Sequence, residues 1–394
     1  MAPLKLISAS DESNVICVYD KDGKPTKTKK GVRTYAKFLL DVFLPAGYPH
    51  TVTEDYTKYQ IYDSLQAFSS TIASLLSSRA VLQGLGLGES SSAATAAVLF
   101  TVAQDSAGRI ATIMFAHVCG RAIEPECKFF RYFADIVNDA ALVLDLISPA
   151  LPFQPKIFTI CLAGILRALC GISGGAAKAS LSAHFAKTGN LAELNAKDGS
   201  QETVISLMGM LVGSMLVHYV HSKTAVWAWM IVLIGTHLWT NYQAVRAVQL
   251  RTLNEQRLYI VMKELLSKDI ILRPDQVAAR ERILDWWSMP IHFATEPPAL
   301  GEITPAELEK SRLLWYVIAG RGTRKTKIFL KQGANERDAL LAWIDAFTDP
   351  PRVEEIQLLW PTLAAAGWDL QTNALEKGRA IRIKVDDVES QHRD

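Results

Sequence analysis

Two uncharged apolar runs dominate the pattern of hydrophobic and polar positions. TVISLMGMLVGSMLVHYVH extends from Thr203 to His221 without an Asp, Glu, Lys or Arg, and TAVWAWMIVLIGTHLWTN extends from Thr224 to Asn241 in the same way. A helix needs roughly 20 such residues to cross the hydrocarbon core of a bilayer, so the pair predicts a transmembrane hairpin over 203–241. The competing reading is a helical pair buried in a large soluble core. The polar stretch before it, Ala196 to Thr203, predicts a capped loop leading into the first arm, with a helix start near Ser200.

Upstream, helical spacing recurs in several segments. Tyr56, Tyr59, Tyr62 and Phe68 form an aromatic stripe after the Pro/Gly turn LPAGYP. Ser90–Gly120 reads as one or two apolar helices interrupted at Gln104–Arg109. Glu126–Leu151 is amphipathic, with Asp135 and Asp139 four apart on one face and Asp145 beyond, expected as a solvated stripe. Pro155–Lys187 reads as an apolar helix broken at Arg167 and followed by GISGGAAKAS.

Residues 4–20 hold short β-type runs followed by the turn sequence KDGKP, then the basic segment Lys21–Arg33. Ala244–Leu266 predicts one amphipathic helix. From Gly301 the strand-like LLWYVIAG, KIFLKQG and RAIRIKV alternate with the helical ANERDALLAWIDAF and VEEIQLLWPTLAAAGW, a small α+β unit. The fold expected is therefore mostly α. It comprises an N-terminal β-type segment with a basic loop (1–38), an apolar helical bundle read as a membrane domain (39–245), an amphipathic helix and linker (246–300), and a C-terminal α+β domain (301–394).

An internal repeat is also expected. Ala103-Gln104-Asp105-Ser106 leads to Gly120 as Ala196-Lys197-Asp198-Gly199 leads to Gly213, and Arg79 with its following glycines resembles Arg167 with Gly171, Gly174 and Gly175. Each polar AxD segment is expected as a loop. Repeats with interrupted helices are a mark of transporter folds. On that reading Arg79, Asp105, Arg109, Arg167, Lys197 and Asp198, with the neighbouring Gln201, become candidate binding residues, since charges at membrane depth face a cavity or a partner. Lys and Arg there suit a small anionic metabolite.

Composition narrows the functional classes. A net charge of +2 argues against nucleic acid as a partner, and a charged fraction of 21% suits apolar helices with soluble ends rather than a chain wholly in the membrane. The five cysteines form no CxxC pair and read as buried thiols in a reducing compartment. The first residues read as neither a secretory signal nor a transit peptide. The glycines of QGLGLG follow a helix rather than a strand, which removes the dinucleotide fingerprint, and GRGTRKTK lacks the Walker spacing. No HExxH, GxSxG or zinc spacing is present, so no enzyme and no metal are expected. Arg246, Arg251 and Arg257 just past the hairpin place the C-terminal end in the cytosol, on an intracellular membrane.

The segments LPAGYPHTVTEDYTKYQ, DSLQAF, SSRAVLQGLGLG and NAKDGSQET, in this order, resemble the ROOT UV-B SENSITIVE (RUS) family. Gly47, Tyr48, Pro49, Asp55, Tyr56 and Gln60 carry the first motif. The resemblance runs from about Leu39 to beyond Tyr242. It implies a link to UV-B sensing, early development and vitamin B6 homeostasis, and a paralogue or second copy as partner. Pyridoxal phosphate becomes a ligand candidate, held by Lys197 with Arg79 or Arg167. The alternative is a non-transporting scaffold that docks a paralogue or another membrane protein.

Overall fold

The computed structural model of the 394-residue chain describes the backbone at residues 4–8, 11–19, 25–26, 42–85, 91–284, 290–322, 326–348 and 353–384. Side chains are described at 42–83, 101–284, 290–322, 326–348 and 359–384. Most of the basic Lys21–Arg33 segment, the glycines Gly86 and Gly88, Trp286 and Trp287, and part of the GRGTRKTK loop fall outside these residues. The chain divides into two units, Met1–Arg79 with Ala179–Ala244, and Ala80–Lys178 with Val245–Asp394.

The first unit begins with three strands, β1 (Leu4–Ser8), β2 (Asp11–Tyr19) and β3 (Pro25–Thr26), paired antiparallel in that order. These strands fall on the expected short β-type runs. Helix α1 (Tyr56–Leu85) contributes its residues up to Arg79. The last turns of α4 (Phe153–Phe185) follow, with α5 (Leu191–Tyr219) and α6 (Lys223–Ala247) up to Ala244.

Helices α1 and α5 run parallel at a constant offset: Gln60 meets Asp198, and Arg79 meets Val217. Between those ends the helices pack through Gly209 and Gly213. A Cβ on Gly209 would stand 2.9 Å from the Thr71 Cβ, and one on Gly213 would stand 2.6 Å from Leu75 Cδ1. The Gly-xxx-Gly spacing thus serves close helix approach. Helix α6 runs antiparallel to α1, with Gln66 beside His237 (3.4 Å) and Tyr62 edge-on to Trp239.

The second unit holds α2 (Ser91–Ile123), α3 (Cys127–Ile147), a 3-10 turn at Ser148–Ala150 and α4 up to Lys178. Here α4 runs parallel to α2. Gln104 donates to the Ile160 carbonyl and lies against Gly164, and a Cβ on Gly108 would stand 3.2 Å from that of Ala168. Helix α3 runs antiparallel to α4, with Ala134 against Gly174 and Asp145 paired to Arg167.

Beyond α6 come α7 (Glu255–Lys268), α8 (Pro274–Ala278), β4 (Ile291–Phe293), α9 (Pro305–Lys310), β5 (Tyr316–Ala319), β6 (Thr326–Lys331), α10 (Glu336–Phe347), α11 (Val353–Ala365) and β7 (Arg382–Ile383). Central β6 pairs antiparallel with β5 on one edge. On the other edge it pairs in parallel with β4 at one end and β7 at the other. Trp343, fully buried on α10, sits in a core that gathers Leu258 and Val261 of α7 with Tyr316, Ile328 and Leu340. Residues before Gly301 therefore belong to the same hydrophobic core as the α+β elements after it.

Several local expectations are corrected. Gln104–Arg109 does not interrupt a helix, Arg167 and GISGG do not break one, and Ala196–Thr203 is no loop, since α2, α4 and α5 run unbroken through them. A charged or glycine residue inside a long helix costs about 1 kcal/mol or less, which packing of the flanking turns offsets. The AxD segments matched in the expected repeat are thus helix interiors. Ala244–Leu266 is two helices rather than one, because α6 ends at Ala247 and Asn254 caps α7, accepting from the Arg257 amide at 2.8 Å. The expected stripe of Asp135, Asp139 and Asp145 is buried. Arg131 pairs with Asp135 at 3.6 Å and Arg167 with Asp145 at 2.5 Å.

A buried ionic cluster joins the start of α3 to α7 and to chain further on. Lys377 bridges Glu126 (2.5 Å) and Glu255 (3.0 Å), while Lys128 reaches Glu281 at 2.5 Å. Arg257 donates to the Pro125 carbonyl at 2.7 Å and lies 3.6 Å from Glu281. Burial pushes the Glu126 carboxyl up despite Lys377. For Glu281 burial acts in the same direction, but Lys128 and Arg257 outweigh it and hold the carboxyl below its ordinary range.

Candidate functional site

The first unit contains a cavity of about 520 Å³ between the N-terminal half of α1 and the middle of α5. One wall is a single face of α1: Tyr56, Gln60, Ser64 and Phe68 follow at four-residue steps, with Thr57, Ile61 and Leu65 beside them. Gln201, Ile205 and Met208 of α5 form the facing wall, and Leu44 and Tyr48 of the preceding turn close it. The lining is apolar with a few uncharged polar groups, and it contains no lysine or arginine.

The turn owes its shape to LPAGYP. Gly47 has φ +75°, and a Cβ there would stand 2.8 Å from Thr51 Cγ2. Tyr48 N–H donates to the Pro45 carbonyl, and the Tyr48–Pro49 peptide is cis. The Tyr48 hydroxyl lies 2.6 Å from Thr57 Oγ1, which ties the turn to the first turn of α1.

Residues 51–53 then pair with the end of α4. Thr53 N–H donates to the Phe185 carbonyl, Lys187 N–H donates to the Thr51 carbonyl, and Asp55 Oδ2 lies 2.9 Å from His184 Nε2. Tyr56 and Tyr59 pack on Phe185 with ring centroids 5.5 and 5.0 Å apart.

The NAKDGSQ segment faces this motif across the cavity. Gln60 Nε2 donates to Asp198 Oδ1 at 2.6 Å, and Gln201 Nε2 donates to the Phe43 carbonyl at 2.6 Å. The Lys197 ammonium donates to the Val42 carbonyl at 3.0 Å, and Glu193 accepts from the Ala46 amide at 2.7 Å. Tyr56 is 2% exposed, and its hydroxyl is buried without a hydrogen-bond partner. The Gln201 amide lies near it and gives one of its two hydrogens to the Phe43 carbonyl. A phenol hydroxyl can donate as well as accept.

The structure therefore brings Lys197, Asp198 and Gln201 together with Gly47, Tyr48, Pro49, Asp55, Tyr56 and Gln60. The remaining candidates lie elsewhere. Arg79 is 19 residues beyond Gln60 on α1, about 28 Å along a helix. It donates to the Val217 and Val220 carbonyls at 2.8 and 2.7 Å and lies 3.3 Å from His221 Nδ1, so it caps the C-terminal end of α5. Asp105 and Arg109 are exposed on α2 in the second unit, where Arg167 binds Asp145. His184, Glu193 and the carbonyls of Val42 and Phe43 were not anticipated. His184 stands 129 residues from Asp55, and no local pattern announces that pairing.

Comparison with known proteins places both facing motifs in one described domain. The domain described as vitamin B6 photo-protection and homoeostasis matches residues 29–269. RUS family member 1 of Dictyostelium discoideum is 40% identical over 250 residues, which covers 62% of this chain and 47% of that protein. Protein root UVB sensitive 3 of Arabidopsis thaliana is 33% identical over 261 residues, covering 66% and 59%. Protein root UVB sensitive 2, chloroplastic, of the same plant is 27% identical over 326 residues, covering 78% and 72%. The matched regions thus span about half of the first two relatives. No solved structure matches this one.

Proposed function

Since the chain belongs to the RUS family, through the domain described as vitamin B6 photo-protection and homoeostasis, we propose that it binds an unphosphorylated vitamin B6 ring in the α1–α5 cavity of a membrane-associated protein. The observation that carries the reading is the cavity itself. The two sequence motifs that mark the family meet there, and Tyr56 supplies a buried hydroxyl without a partner. Apolar walls with a few convergent polar groups suit a small ring bearing hydroxyls.

The residues present do not suit the phosphate ester. No cation lines the cavity, Lys197 is engaged with Val42, and Arg79 is about five helical turns away. Pyridoxine, neutral and hydroxylated, is the better match than pyridoxal phosphate or another anionic metabolite.

Two helices among the described residues, α4 and α5, are long and apolar enough to cross a membrane. The second arm of the expected hairpin, α6, falls short because Trp227, Trp229, His237 and Trp239 lower its hydropathy, although Thr224–Asn241 has no charge. Only 11% of the apolar window of α5 is buried, which supports a lipid contact over a soluble core. The basic residues after α6 support a cytosolic side for the α7–β7 part.

Equilibrium binding of labelled pyridoxine to the purified full chain in detergent tests the reading. Saturable binding is expected, and Ser64→Leu, which fills the cavity from a half-buried position, should weaken it at least tenfold without lowering Tm. Equal affinity in Ser64→Leu, or no saturable binding by the parent, overturns it, and the scaffold reading then takes its place.

A further inference from the structure

Helices α1–α3 and α4–α6 repeat one another in the chain. They begin at residues 56, 91 and 127 and again at 153, 191 and 223, spacings of 97, 100 and 96 residues. They end at 85, 123 and 147 and again at 185, 219 and 247, spacings of 100, 96 and 100. This register differs from the one read off the AxD segments, because it is set by helix ends and contacts rather than by small-residue matches.

The packing follows the same register. In the first unit α1 lies parallel to α5 through Gly209 on Thr71, with α6 antiparallel to it. In the second unit α4 lies parallel to α2 through Gly108 on Ala168, with α3 antiparallel to it. Thr71 and Ala168 are 97 apart, and Gly108 and Gly209 are 101 apart, so the two contacts are counterparts. Each unit joins the first helix of one half to the second and third helices of the other.

The direction of the halves follows. Residues 186–190 link α4 to α5, and a connection this short reverses the chain. Because α1 is parallel to α5, it opposes α4, the corresponding first helix of the second half. In agreement, the start of α1 (Tyr56, Tyr59) packs on the end of α4 (Phe185). Three-helix halves of opposite direction are the architecture of inverted-repeat carriers, whose substrate site lies where the halves meet. The α1–α5 cavity is such a place, since α1 belongs to one half and α5 to the other.

We infer that α1–α6 form an inverted repeat and that the cavity between α1 and α5 is the substrate site of a membrane carrier for a small uncharged ring compound. This rests on the binding reading above and adds translocation to it. The chemistry is movement alone, with no bond made or broken. Gln60 and Gln201 stand on opposite halves, so a ring held between them would be released when the halves shift.

The test uses the full chain in sealed liposomes with pyridoxine as probe. Vesicles preloaded with unlabelled pyridoxine should take up labelled pyridoxine transiently, several-fold above protein-free vesicles. In parallel, Glu124→Cys and Ser222→Cys, at counterpart connections of the two halves, are reacted with an impermeant maleimide against the parent background. The inversion requires that they react from opposite faces, with Thr188→Cys on the face of Glu124→Cys. Pyridoxine binding by each variant reports that it is folded. Saturable binding without counterflow overturns the carrier and leaves the binding reading standing. Loss of both overturns both. Reaction of residues 124 and 222 from one face overturns the inversion.

Discussion

Lys377 shows how much one side chain can control. Burial lowers its readiness to hold a proton, yet Glu126 and Glu255 beside it more than compensate and raise its pKa. A lysine raised by partners stabilises the fold at all pH values below its ordinary range, and that contribution is lost only as pH rises through the folded value. Lys377→Met leaves two buried carboxylates without their cation and should cost about 3–5 kcal/mol at neutral pH. Glu126, already pushed up by burial, then takes a proton in the folded state before the unfolded state does. The gap between wild type and variant should therefore shrink as pH falls towards the raised Glu126 range, measured as the difference in Tm. A gap that stays constant would show that Glu126 does not titrate with the cluster.

At the scale of elements, the start of α7 couples local capping to a distant helix. Asn254 accepts from the Arg257 amide and donates to Glu126 Oε2 at 2.9 Å. Asn254→Ala removes a cap of about 1 kcal/mol and a hydrogen bond to a charged group of about 1.5–3 kcal/mol. Asn254→Asp keeps the cap but sets a second carboxylate against Glu126. Both variants should melt well below wild type, and an unchanged Tm for Asn254→Asp would mean that the contact with Glu126 carries nothing. Neither the cap, which falls inside the single helix expected over Ala244–Leu266, nor the carboxylate it meets was legible, since Glu126 lies 128 residues away.

For the whole molecule, stability depends on what covers α5 and α6. Leu207, Leu211, Ile231 and Val232 are 52, 70, 67 and 57% exposed. If water covers them, four lysines there should change stability by no more than about 0.5 kcal/mol each. If lipid covers them, each costs about 2.5–3.5 kcal/mol near the bilayer centre. Wild type should stay in the membrane pellet after alkaline carbonate extraction, and the four-lysine variant should fail to insert. A variant that behaves as wild type does would remove the membrane from the account.

What the sequence determined by itself was whatever rests on near neighbours. The uncharged runs set the bodies of α5 and α6, LPAGYP set the turn before α1, and the alternation after Gly301 set the strands and helices of the small sheet. The family was legible too, because its motifs are continuous stretches. Whether a polar segment ends a helix is not a local matter. Gln104–Arg109 and Ala196–Thr203 stay helical because the turns around them pack on a parallel neighbour. Tertiary structure alone decided that Asp135 and Asp145 are buried beside arginines, that Arg79 caps a helix while Lys197 holds a turn, and that Gln60 faces Asp198. Those outcomes depend on which helices lie side by side, and the contacts between neighbours join residues 22 (Asp145–Arg167), 56 (Gln104–Ile160) and 138 (Gln60–Asp198) positions apart.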